Sequence, residues 1–261
     1  MNYESILVNK QTDGVTVVTL NQPEAMNALS GQMVKELKDA ALDLSNDDSV
    51  KVIVLTGTGK SFCAGGDLKR FKEGFTPVSA VDYLDDIHLL IKSWSKLKKP
   101  TIAAVNGAAA GAGMSLMLIC DMAYAAEGAK IGCAFINMAL IPDCGLAYYL
   151  PRIVGIQKAK ELIFTGRMLE AKEAGEIGLV NQVFPADTFM EEVLGIAARI
   201  AANPAFAIRY AKRIVNMSMD IDIDTLLNIE ALMQSQLFNA EDSKEAVSAF
   251  LEKRKPVFKG R

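Results

Sequence analysis

Histidine is nearly absent from this chain: the one copy, His88, has only four cysteines to join it in a metal site. Cys63, Cys120, Cys133 and Cys144 are widely spaced and form no Cys-x-x-Cys pair, so they read as reduced, mostly buried thiols. An excess of charge of one sign is also missing. The 28 Lys and Arg residues against 31 Asp and Glu leave a net charge of −3, which offers no electrostatic reason to bind nucleic acid. No uninterrupted apolar run reaches the roughly 18 residues that a membrane span requires, and no membrane association is expected. The opening MNYESILVNK carries Glu4 and Lys10 where a secretory signal would have an apolar stretch, so a cytoplasmic location is expected. Low-complexity linkers and close internal repeats are absent as well.

What the chain does have is apolar content, 51% over 261 residues, enough to bury the core of one large α/β unit with a smaller appendage. Short β-branched segments alternate with helical patterns through the first two-thirds. VTVVTL (15–20), KVIVLTG (51–57), TIAAVNG (101–107) and DMAYAAEGAKIG (121–132) read as strands, several of them apolar throughout and so buried on both faces. Met33, Leu37, Ala40 and Leu44 recur at helical spacing behind Ser30, a natural N-cap. Further helical patterns run from Gly111 toward Cys120 and through GIQKAKELIF. Such alternation predicts a layered α/β core.

From about residue 187 the strand signals stop. FMEEVLGIAARIAA, AFAIRYAKRIV and TLLNIEALMQSQLF hold a 3.6-residue period, with Leu226, Ile229, Met233 and Leu237 on one face of the last. The expected division is an α/β core over 1–190 and an all-helical region over 191–261. Its amphipathic faces suit either a cover for the core or a subunit contact. The chain closes on EKRKPVFKGR, a basic cluster broken by Pro256 that reads as a solvated terminus or an anion contact.

Two glycine-rich stretches need a reason. In TGTGKSFCAGGDL, Gly59, Lys60 and Ser61 match the end of a phosphate-binding loop, but the earlier glycine such a loop needs is replaced by Val54, inside a strand. The loop has no room to form, and the FCAGGDL that follows reads as another turn. NGAAAGAG lacks the third glycine of a dinucleotide fingerprint, because position 116 is Leu. Both AGGD (64–67) and NGAAAGAG (106–113) follow strands and precede helical patterns, so each can present free backbone N–H groups near a helix N-terminus. One donor from each, aimed at a single oxygen, makes an oxyanion hole, and small residues there let a bulky acyl group approach the backbone.

NQPEAMNALS, GKSFCAGGDL, KKPTIAAVNGAAAGAGMSLMLICDMAYAAEGAKIG, IPDCGLAYYLPRIVG, TGRMLEAKEAGEIGLVNQVFP and the terminal FLEKRKPVFKGR occur in an order and spacing that resembles the crotonase superfamily. This is the enoyl-CoA hydratase/isomerase family, and the resemblance covers essentially the whole chain. It implies an α/β fold, a spiral of ββα units followed by a C-terminal helical trimerisation region, assembled as a homotrimer or a dimer of trimers. It also implies an acyl-CoA thioester substrate, with coenzyme A entering as part of that substrate and no separate cofactor or metal. The thioester oxygen would sit between the N–H groups of Gly66 and Ala112, the latter a departure from the glycine of many relatives. The turn around Ala64, Asp67 and Leu68 would read the CoA adenine, with Asn27, Ala28, Leu29 and Lys69 nearby. Phe258 and Lys259 would reach the CoA of a neighbouring subunit.

The reaction is less general than the hole. Removing a proton beside a thioester, or adding water to its conjugated alkene, puts negative charge on the thioester oxygen, where a fixed donor is worth on the order of 10² to 10³ in rate. Hydratases, by the same resemblance, use two glutamates to activate water; those positions here are Ser115 and Phe135, neither a carboxylate. Asp143, in IPDCG, falls where isomerase branches of the family carry a catalytic Asp. One carboxylate suffices to move a double bond, taking a proton from one carbon and returning it to another. Its apolar neighbours Phe135, Ile136 and Met138 are expected to raise its pKa and exclude water.

Pro-Asp-x-Gly is also good turn chemistry, in which the Asp simply bonds local backbone N–H groups. Enoyl-CoA isomerisation is the favoured expectation, with a hydratase using a different acid and a non-catalytic CoA-binding scaffold as alternatives. Among the other candidates, Ser115 reads as a helix residue, Asp82, Asp85 and Asp86 as a solvated face, His88 as a packing residue and Cys63 as a small apolar filler.

Overall fold

Ten strands among residues 3–260, which the computed structural model describes, divide between two sheets. In chain order they are β1 (Ile6–Lys10), β2 (Val15–Leu20), β3 (Val52–Gly57), β4 (Ser61–Cys63), β5 (Thr101–Val105), β6 (Ala108–Ala110), β7 (Met122–Ala126), β8 (Lys130–Gly132), β9 (Met168–Glu170) and β10 (Gln182–Phe184). The α-helices between and after them are α1 (Gly31–Asn46), α2 (Leu68–Glu73), α3 (Pro77–Ser95), α4 (Ala112–Leu118), α5 (Leu146–Val154), α6 (Ile156–Thr165), α7 (Ala171–Glu176), α8 (Phe189–Ala201), α9 (Ala205–Met217), α10 (Ile223–Phe238) and α11 (Glu241–Leu251).

The larger sheet has the order β1-β2-β3-β5-β7-β10 and is parallel apart from the β1/β2 pair. Val52, Ile53, Val54 and Leu55 are fully buried, which is why β3 reads as an unbroken apolar run. The smaller sheet has the order β4-β6-β8-β9. Three times in succession the chain leaves the larger sheet, turns a corner and enters the smaller one: β3 into β4, β5 into β6, β7 into β8. The first two pairs lead on into α2 and α4, giving the ββα spiral that the family resemblance implies. Glycine makes both of those corners. A Cβ on Gly57 would lie 2.3 Å from the Ser61 carbonyl oxygen, and one on Gly107 would lie 2.1 Å from that of Lys60.

Three readings of the sequence change here. FCAGGDL is not all turn and NGAAAGAG is not all loop, because Ser61–Cys63 and Ala108–Ala110 are strands of the smaller sheet, too short at three residues to show any period. DMAYAAEGAKIG is not one strand but two, β7 and β8, which belong to different sheets. The short β9 and β10 carry no pattern that sequence reading detects.

Helix α1 forms as expected, with Ser30 Oγ accepting the Met33 N–H at 3.2 Å and Met33, Leu37, Ala40 and Leu44 buried. It packs on α3, where Trp94 Nε1 donates to the Leu37 carbonyl at 2.9 Å. The buried Lys99 caps its far end, donating to the carbonyls of Leu44, at 2.5 Å, and Asp47. On the inward face of α1 the Glu36 carboxylate accepts from the N–H groups of Glu4, Ser5 and Ile6, the Ser5 hydroxyl and the Gln32 amide, and so fixes the start of β1. Burial acts to raise the Glu36 pKa, but these donors together hold it at about 2.

The helical region divides by what it touches. Phe189, Val193, Ala197 and Ala201 of α8 pack on Val15, Val17, Val52, Val54, Ile102 and Ala104, covering one face of the larger sheet. Helices α9 and α10 bury no residue completely. Leu226, Ile229, Met233 and Leu237 form a half-buried stripe on α10, which packs against α9, while Leu232, Phe238, Phe250 and Leu251 are exposed. No helix among the described residues is long and apolar enough to cross a membrane.

Candidate active site

Strands β4 and β6 lie side by side in parallel, with Ser61 opposite Ala108 and Cys63 opposite Ala109. The loops that leave them therefore emerge at the same end of the smaller sheet. On the first, Leu29 bridges to Gly66, and its N–H donates to the Gly65 carbonyl at 2.8 Å. The bond uses the carbonyl of Gly65 and leaves the Gly66 N–H without a partner among the described residues. On the second, Gly111, at φ 52°, leads into α4. The first bond inside that helix runs from the Ser115 N–H to the Gly111 carbonyl at 3.1 Å, and the Ala112 N–H has no partner among the described residues.

The absence of side chains brings the loops together. A Cβ on Gly65, at φ 105°, would lie 2.8 Å from the Ala110 carbonyl oxygen and 3.5 Å from the Ala112 nitrogen. One on Gly113 would lie 2.0 Å from the Cys63 carbonyl oxygen, which no larger residue permits. At Gly66 the obstacle is the Phe71 ring, 2.9 Å away.

Gly66 and Ala112 both border a cavity of about 230 Å³, walled by Phe71, Tyr83, Ile87, Phe135 and Leu140. Asp143 is the only carboxylate among the described residues that line it. The chain there makes a tight turn, with Cys144 at φ 54° and Gly145 at φ 78°, closed by the Leu146 N–H donating to the Asp143 carbonyl at 3.0 Å. Main-chain atoms thus close the turn, and of the local backbone N–H groups only that of Asp143 itself acts on the carboxylate. Oδ1 instead accepts the Cys144 thiol at 2.9 Å, and Ser115 Oγ donates to the Asp143 carbonyl at 3.3 Å. Burial raises the Asp143 pKa, against the opposing effects of the Cys144 thiol, the charge of His88 and the Asp143 backbone N–H. The Tyr83 phenol is pushed up to about 12, chiefly by burial and then by Cys144 and Asp143 beside it. Its hydroxyl is 3.6 Å from the point a Gly66 Cβ would occupy and has no hydrogen-bond partner among the described residues.

The other expected residues fall in several places. Ala64 and Leu68 line the cavity, Asp67 caps α2 by accepting the Lys69 N–H at 2.9 Å, and Lys69 is exposed. Ala28 is half-buried, but Asn27 and Leu29 are fully buried. The Asn27 amide donates to the Thr58 and Ser61 carbonyls at 2.9 and 2.8 Å, so these two side chains hold the loop from inside. Phe258 and Lys259 line no part of this cavity within one chain. They lie along α11, where the N–H groups of Lys259 and Gly260 donate to Asp242 at 2.6 and 2.8 Å.

Phe135 and Ser115 are both buried, Phe135 as a cavity wall and Ser115 beneath the Asp143 turn. Asp82, Asp85 and Asp86 are exposed, as expected of a solvated face, but His88 is exposed too and is not the packing residue anticipated. Cys63 is fully buried with its pKa pushed up to about 12, consistent with a filler. Phe71, Tyr83 and Cys144 escaped sequence reading. Tyr83 had a signal, since Tyr83, Ile87, Leu90 and Trp94 keep helical spacing along α3. A wider hollow of about 890 Å³ between the end of α3 and α9 shares no lining residue with this site.

Comparison with known proteins decides which family owns this arrangement. Residues 10–261 match the family model described as enoyl-CoA hydratase/isomerase. The chain belongs to that family. Like other members of the enoyl-CoA hydratase/isomerase family, it is an enzyme of acyl-CoA thioesters with the crotonase fold. The crystal structure of an enoyl-CoA hydratase from Bacillus anthracis superposes with a TM-score of 0.95 at 36% identity, covering 99% of this chain and 100% of that one. A crotonyl-CoA hydratase of Syntrophomonas wolfei is 38% identical over 259 residues, 99% of each chain. A 1,2-epoxyphenylacetyl-CoA isomerase of Escherichia coli is 37% identical over 251 residues, 95% of this chain and 96% of its own.

Proposed function

We propose that this enzyme isomerises an enoyl-CoA, with Asp143 carrying the proton and the Gly66 and Ala112 amides holding the thioester oxygen. The observation that carries the reading is the lining of the cavity: one carboxylate, Asp143, faces the same space as two unpartnered amides. Ser115 and Phe135, at the positions of the hydratase glutamates, supply no second carboxylate to activate water.

The Asp143 carboxylate takes a proton from C2 of a 3-enoyl thioester. The C–H electron pair moves toward C1, and the resulting dienolate carries its charge on the thioester oxygen, where the two N–H groups donate to it. Asp143 then delivers the same proton to C4 as the C2–C3 double bond forms, which restores the carboxylate. Its raised pKa makes it a stronger base than an exposed Asp, and the apolar walls keep water from the intermediate. On the same reading the CoA runs past Ala64–Lys69 and Ala28, with Phe258 and Lys259 of a neighbouring subunit completing its site. The exposed apolar residues of α9 to α11 support a subunit contact there.

The test is optical. Added 3-enoyl-CoA should develop the absorbance of a conjugated 2-enoyl thioester. Rapid bleaching of crotonyl-CoA instead would make the enzyme a hydratase, and inertness toward both thioesters, with CoA binding retained, would make it a scaffold.

A further inference from the structure

We propose that Cys144 is a positioning residue for Asp143, its thiol aiming the carboxylate into the cavity. The inference rests on the reading of Asp143 as the proton carrier. Cys144 stands at φ 54°, a left-handed conformation that strains a residue with a Cβ and suits glycine. The backbone there does not require a cysteine, and what the side chain adds is a contact with the carboxylate. It is 1% exposed, and its Sγ lies 2.9 Å from Asp143 Oδ1. Burial holds the thiol well above its usual pKa, so it remains protonated and donates.

The main chain of Asp143 is held independently, its carbonyl accepting from the Ser115 hydroxyl and the Leu146 N–H. The carboxylate is held less firmly, by its own backbone N–H and by one side chain. Tyr83 and His88 face it from α3, Cys63 lies near Cys144 from β4, and Asp67 and Arg70 act on Tyr83 from the start of α2. Of all these, Cys144 alone makes a side-chain hydrogen bond to the carboxylate. Without it the carboxylate keeps only its own backbone N–H, and its ionised form loses a donor.

The decisive variant is Cys144→Gly, which removes the thiol while suiting the left-handed backbone, with Cys144→Ser as the variant that keeps the core filled. Turnover of a 3-enoyl-CoA is followed against pH for wild type, Cys144→Gly, Cys144→Ser and Asp143→Asn, and repeated on a His88→Gln background to separate the histidine charge. In Cys144→Gly the acid limb should move to higher pH and kcat should fall roughly three- to tenfold with KM little changed, as expected for one lost hydrogen bond from a thiol, a weak donor. Cys144→Ser, which keeps a donor, should restore the wild-type limb. An unmoved limb in Cys144→Gly, or a serine variant no better than glycine, overturns the role of Cys144 while an inactive Asp143→Asn still upholds the proton carrier. Full turnover by Asp143→Asn overturns both.

Discussion

Two carboxylates withdrawn from water meet opposite treatment in this molecule. Glu36 accepts five hydrogen bonds, three of them from consecutive backbone N–H groups, and is held at about pKa 2. Asp143 takes one side-chain hydrogen bond, from a thiol, and burial pushes its pKa up. The first is saturated and ties β1 to α1. The second keeps accepting capacity open toward a cavity. The contrast separates a carboxylate that serves the fold from one available for chemistry, by the number of donors each already holds.

Substitution should break the contrast most sharply at Asp143. Asp143→Asn is expected to lower isomerase turnover by about 10² to 10⁴, the usual worth of a general acid–base group, in a spectrophotometric assay. Because the native pKa is raised, ionisation of Asp143 weakens the fold as pH rises through that value. The inactive variant should therefore melt at the wild-type temperature or above it at neutral pH. Next in size comes Ala112→Pro, which deletes an amide at the first position of α4, where a helix tolerates proline. Turnover should drop by about 10² to 10³, and an enolate-mimicking CoA ligand should bind correspondingly less well in calorimetry.

At Glu36 the prediction reverses. Glu36→Gln leaves backbone donors short of acceptors and should cost about 1–3 kcal/mol in urea denaturation, while the turnover of folded enzyme stays unchanged. The sign of its pH dependence is also opposite. The stability from Glu36 is fully present above its ordinary pKa of 4.5 and is lost as pH falls toward about 2, so the variant should flatten the acid-unfolding curve over that window. The smallest effect is expected for Ser115→Ala. Its hydroxyl reaches only the Asp143 carbonyl and the helix backbone, and its loss should lower kcat by roughly threefold, consistent with one weak neutral hydrogen bond.

The two carboxylates were not equally legible in the sequence. Asp143 stands out because of its motif, whereas nothing near Glu36 announces a buried acid, since apart from Gln32 its partners lie about thirty residues away, at and just before the start of β1. The pattern was similar for the fold. β2, β3, β5 and the Ser30 cap of α1 were readable because apolar runs and capping residues are local signals. The three-residue strands β4 and β6 were hidden, as nothing so short has a period, although the glycine loops they carry were plain. Cys144 was hidden for another reason: its neighbours along the chain reveal neither its left-handed backbone nor its contact with Asp143.

The crowding of Gly113 against the Cys63 carbonyl has a consequence for descent as well as for geometry. Donors that belong to the peptide chain survive nearly every codon change, provided the contact that aligns them keeps its glycine. On the reading proposed above, residues 115, 135 and 143 can then be exchanged while the two amides stay where they are.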